Sequence, residues 1–147
     1  MDRCDLALVM MSQLAGGPGE LYPLDRLRMQ KAVFLLTQRG TPRWRQLYSY
    51  KPYNWGPYSS QLRSDVESLV RNDFAEVEDV PGREYGRYRT TRTGEARAAR
   101  TWADLTSAER DFIRSVRTYV THKSFTQLLR EVYAAYPEFA TASQFSG

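Results

Sequence analysis

The chain has 147 residues, a net charge of +4, and 41% hydrophobic against 26% charged content, values ordinary for a soluble globular protein of one domain. No run approaches the roughly 20 apolar residues that a membrane-crossing helix needs. The single cysteine, Cys4, and the single histidine, His122, exclude an internal disulfide, a cysteine-rich metal centre and a multi-histidine site.

The opening MDRCDLALVMMSQLAGG sets Asp2 and Asp5 around an apolar middle and reads as a helix over 5–15, not as a secretory signal. Leu6, Val9 or Met10 and Leu14 share its face, and Gly16-Gly17-Pro18-Gly19 closes it. A second helix starts after Pro23 with Asp25 as its cap and runs to about Gln38, with Met29, Val33 and Leu36 inward. Residues 47–52 read as a short extended segment, because Tyr48 and Tyr50 alternate and Pro52 disfavours helix before it. A loop over 54–58 follows. Ser59 or Ser60 then caps a third helix whose Leu62, Val66, Leu69 and Val70 make the buried stripe, with Asp65 and Glu67 expected outward. A strand over 74–80, a Pro81-Gly82 turn and a return strand over 85–91 make a hairpin with an arginine-rich arm. Thr91 or Thr93 caps a helix over 94–102. Two capping boxes, Thr106 with Glu109 and Ser124 with Gln127, open two further helices, the last ending before Pro137. The tail after Phe139 is expected to be loose.

The charge is banded along the chain. Residues 26–64 hold eight Lys or Arg and no acid, 65–79 hold six acids against Arg71, and 83–100 hold six bases against Glu84 and Glu95. Within the first band, RWRQLYSYKPYNWGPYSSQLR (43–63) packs two Trp, four Tyr and four basic residues around Gly56-Pro57. Such a span suits a surface that meets an anionic partner; the alternative is that neighbouring bands neutralise each other in the fold. The expected contacts are Arg43, Arg45, Lys51 and Arg63 on phosphates, with Arg87 and Arg89 reaching from the hairpin. Trp44, Tyr53, Trp55 and Tyr58 supply aromatic faces, and Ser59 stands at the helix start. Arg117 and His122 fit the spacing of a ribonuclease signature, but His122 falls between two helices and reads as a loop or cap residue. There is no phosphate-binding loop, dinucleotide fingerprint or paired-acid pattern, so no enzyme and no cofactor are expected.

Three helices followed by a hairpin is the order of a winged helix-turn-helix. The runs LRMQKAVFLL (27–36) and YNWGPYSSQL (53–62), with the strand at Phe74 and the turn at 91–94, resemble the YwgA-like proteins over roughly residues 6–96. More distantly they resemble Panacea/SocA-like antitoxin domains and the C-terminal domain of the antitoxin that restrains a DNA ADP-ribosyltransferase toxin. That resemblance implies a winged-helix-like core and a toxin–antitoxin or phage-defence setting. A DNA mimic would be acidic, whereas the matching segment here is basic.

The expectation is therefore a mainly α chain with a small β-hairpin (α+β). It has a winged helix-turn-helix-like core over 1–100 and a C-terminal helical extension over 101–147, in a single domain. It is expected to be cytoplasmic and non-enzymatic and to bind nucleic acid, DNA before RNA. The alternative is an antitoxin-like adaptor that holds a toxin or defence enzyme. No membrane or metal is expected, and a homodimer is left open.

Overall fold

The structure, a computed structural model, describes residues 1–143. Six α-helices and two small antiparallel hairpins make it mainly helical among these residues: α1 (Arg3–Met11), α2 (Arg26–Arg39), β1 (Lys51–Tyr53), β2 (Gly56–Tyr58), α3 (Ser60–Arg71), β3 (Ala75–Glu78), β4 (Arg87–Thr90), α4 (Arg92–Ala103), α5 (Ser107–Thr121) and α6 (Phe125–Ala135).

The first two helices form the centre. Leu6 to Met11 of α1 and Arg28 to Thr37 of α2 are buried without interruption, the signature of helices covered on all sides. The other elements wrap them: α3 and α4 pack on α1, while α5 and β2 pack on α2. Their stripes are narrower, as outer helices require. Leu62, Val66 and Leu69 of α3, Ile113, Val116 and Val120 of α5, and Leu128 and Val132 of α6 all enter one core cluster.

Local signals place the helix ends. Asp25, Ser59, Thr91, Thr106 and Ser124 each accept a backbone N–H from the first turn of the helix they precede. The first helix begins earlier and ends sooner than its sequence suggests, because Asp2 and Asp5 form a capping box and Ser12 stops it. In the first turn of α4, a Cβ on Gly94 would overlap the Phe74 carbonyl oxygen, so only glycine lets α4 approach the residue before β3 this closely.

The extended segment expected over 47–52 lies later, at β1, and the expected loop over 54–58 is half strand. Lys51 pairs with Tyr58 and Tyr53 with Gly56, which leaves Asn54 and Trp55 as the turn. The second hairpin pairs Ala75 with Thr90 through Glu78 with Arg87. After α6, a 3-10 turn (Pro137–Ala140) brings Tyr136 and Phe139 edge-on to Phe34, at 4.9 and 5.0 Å between ring centres. Of the tail expected to be loose, which begins beyond these rings, Ser143 accepts a hydrogen bond from the Tyr133 hydroxyl (2.7 Å), and residues 144–147 lie outside the described residues. No described helix is long and apolar enough to cross a membrane.

Candidate functional site

A cleft of about 340 Å3 opens between the start of α2, the β1–β2 hairpin, α3 and β4. Its walls are held by a side-chain clamp. The Gln30 amide of α2 donates to the Ser59 carbonyl (3.0 Å) and accepts from the Ser59 N–H (2.9 Å). Ser59 in turn caps α3 through its hydroxyl, which accepts from Leu62 N–H at 3.2 Å. Ser59 is therefore enclosed and fully occupied, and its place is structural rather than at a ligand.

Next to Gln30 stands Lys31, 2% exposed and lining the cleft. It sits between the hairpin and α6. A Cβ on Gly56 would come within 2.9 Å of its Cε and 3.1 Å of a Leu129 methyl. With φ at +97°, Gly56 is needed both for its backbone conformation and for the room it leaves. Among the described residues the ammonium makes no hydrogen bond or ion pair. The face of the apolar Phe125 ring lies near it, 6.0 Å from ring centre to Nζ. Burial pushes its pKa down to about 7, against a weaker opposing pull from Asp25.

The contrast with Arg28, one turn away, is instructive. Arg28 is as deeply buried, yet it donates to Asp25 (2.8 Å) and to the carbonyls of Val120 (3.0 Å) and Lys123 (3.2 Å). One buried cation is satisfied by the fold; the other is not.

Aromatic rings form the mouth of the cleft. Tyr53 and Trp55 are 50% and 39% exposed, and the Tyr53 and Tyr58 rings stack at 4.8 Å. Tyr88 of β4 contributes the far wall, with Arg26 at the rim, stacked 3.8 Å over Tyr85. Arg63 also lines the cleft; it pairs with Glu67 one turn on (3.0 Å), with both side chains largely in water.

Several expected contacts lie elsewhere. Trp44 is fully enclosed in the core, with its Nε1–H lacking a partner among the described residues, and offers no stacking face. Arg43 sits beyond the C-terminal end of α2 and grips Glu109 of α5 with two contacts of 2.9 Å. Nine residues of helix separate Gly40 from Lys31, roughly 13 Å along the axis. Arg43 and its exposed neighbour Arg45 thus belong to the opposite end of α2. Arg87 and Arg89 both bond Glu78 across the second hairpin. Strand alternation puts them on the face opposite Tyr88, so they do not reach the cleft. Lys51 is exposed on the first hairpin.

The outward placement expected for Asp65 is also corrected. It is buried, accepting from Arg3 Nε (2.8 Å) and Tyr48 hydroxyl (2.7 Å), and so ties α3 to α1. The charge bands neutralise one another in part, through Arg63 on Glu67 and through Arg87 and Arg89 on Glu78. Arg117 is engaged by Glu20 and by the carbonyls of Met10 and Ser12, while His122 caps α5 with Nδ1 2.8 Å from the Thr118 carbonyl oxygen.

Arg26, Lys31 and Tyr88 are cleft residues that the sequence reading did not select. For Lys31 a signal exists: a cation one turn after Leu27 and three residues before Phe34, inside an apolar stripe. Tyr88 offers no comparable signal. The chain matches no protein-family model, no curated protein and no solved structure.

Proposed function

We propose that this protein is a non-enzymatic nucleic-acid-binding module, which takes an unstacked base or chain end of a single strand at the cleft. The observation that carries this reading is the convergence of exposed aromatic faces (Tyr53, Trp55) with cations that have no carboxylate partner among the described residues (Arg26, Lys31). Lys51 lies on the adjoining hairpin. Base stacking on aromatic rings tolerates any sequence and contributes about 1–3 kcal/mol per base, while cations along the backbone release counterions. A winged-helix-like core, DNA before RNA as partner, and a toxin–antitoxin or phage-defence setting in the cytoplasm belong to the same proposal. Duplex reading by α3 is disfavoured: a hairpin intervenes between α2 and α3, and Glu67 projects from its surface.

Fluorescence anisotropy with single-stranded oligonucleotides at several salt concentrations tests this. With about three phosphates contacted, log K falls with log salt at a slope near −2; a flat response rejects the proposal. One observation favours the adaptor reading as a rival: Arg43, Arg63, Arg87 and Arg89 are all ion-paired, which reduces the free positive charge. That reading requires binding of one protein partner that is lost on Trp55→Ala and unaffected by salt.

A further inference from the structure

We infer that the cleft is a site for a phosphomonoester on a nucleoside, with the phosphate held by Lys31 and the base against Tyr53 and Trp55. This deepens the nucleic-acid reading and rests on it, since it names the part of the strand that enters.

Three observations lead here. First, Lys31 is almost fully enclosed and has no hydrogen-bond or ion-pair partner among the described residues, yet it lines an open cavity. A buried ammonium without an acceptor is unfavourable, and an oxyanion that enters the cavity supplies the missing acceptor. Second, the charge around it is right: Arg26 and Arg63 line the same cleft, and Glu67, the one acid in its lining among the described residues, is already paired with Arg63. Third, the size is right. About 340 Å3 falls at the low end of the ~300–1,000 Å3 of small-ligand pockets, enough for one nucleotide and not for a run of them. A strand that merely crosses the surface presents its diester phosphates to exposed cations such as Lys51. Reaching an enclosed one calls for a terminal group. The same chemistry is carried by a free nucleotide and by a phosphorylated chain end.

Isothermal titration of the whole chain separates these sources. The probes are deoxyadenosine, its 5′-monophosphate, and one oligodeoxynucleotide bearing a phosphate at the 5′ end, the 3′ end or neither. The expected result is that a terminal phosphate tightens binding by roughly tenfold or more, as charge-assisted hydrogen bonds do. Lys31→Met erases that preference, while Lys51→Ala weakens phosphorylated and unphosphorylated strands alike. Arg26→Gln, at an exposed position, reports on the same preference without touching the buried lysine and lowers it roughly threefold. Strands that bind with no phosphate preference overturn this inference and leave the nucleic-acid reading standing. Monophosphate that binds with the preference while strands do not bind upholds the site for free nucleotide and rejects the nucleic-acid reading. Absence of binding to every probe, or a preference that survives Lys31→Met, overturns the site.

Discussion

Replacing Lys31 by methionine is expected to make the unliganded protein more stable, against the usual outcome for a core substitution. In the folded chain burial brings this lysine from 10.5 to about 7. At about 1.4 kcal/mol per pK unit, keeping the ammonium inside at pH 6 costs roughly 5 kcal/mol, which relaxation and water entry reduce. Methionine has a similar length and no charge, so Lys31→Met should gain about 2–5 kcal/mol at pH 6, or very roughly 5–15 °C in Tm. The sign with pH follows from proton counting. Between about pH 7 and pH 10.5 the unfolded chain holds the proton that the folded chain has released, so this group's contribution makes the wild type more stable as pH rises through that window. The advantage of the variant is therefore full below pH 7 and shrinks towards a small packing difference by pH 10.5. Urea denaturation of both proteins at pH 6, 8 and 10 measures it. A variant less stable than the wild type at pH 6, or an advantage constant across the series, would refute the reasoning.

The two tryptophans of the aromatic segment are expected to behave oppositely. Trp44→Ala removes an enclosed side chain and should cost about 3–5 kcal/mol in urea unfolding, whereas Trp55→Ala should shift stability by less than about 1 kcal/mol and weaken strand binding by about 1–3 kcal/mol. Equal destabilisation by both would count against this placement of the hairpin. Gly56→Ala forces a side chain into left-handed backbone and against Lys31, so a loss of about 1–3 kcal/mol is expected, together with weaker ligand binding; unchanged thermal unfolding would contradict the geometry. Asp65→Ala removes the partner of the Arg3 guanidinium, while the Tyr48 hydroxyl keeps the Arg3 carbonyl as an acceptor (2.9 Å), and should cost about 1–2 kcal/mol, discounted for the partial exposure of Arg3. Chemical denaturation at neutral pH reads this directly, and a neutral effect would mean that the triad does not form in solution.

Helix starts were legible because their chemistry is local. Asp25, Ser59, Thr91, Thr106 and Ser124 announce themselves next to the helices they cap, and the stripes of α3, α5 and α6 carry a clear helical period. The β2 strand escaped notice because three residues, one of them proline, give no alternation to read. Asp65 looked solvent-facing for want of any local sign that Arg3, 62 positions away, and Tyr48, 17 positions away, would enclose it. Trp44 misled because it is flanked by Arg43 and Arg45. The short 3-10 turn at Pro42–Trp44 points the indole inward while both arginines stay in water. Of the eleven residues singled out from the sequence, four line the cleft. Tyr53, Trp55, Tyr58 and Arg63 came from sequence, but the enclosed cation came from a helix that composition alone marked as core.

The Gln30 amide, bonded to both backbone groups of Ser59, copies with one side chain what two neighbouring strands do with their main chains. It joins the central helix to the junction between the aromatic hairpin and the next helix at a single point. On the proposed function, a guest entering between them would meet walls already tied together, which would leave less ordering entropy to be lost on capture.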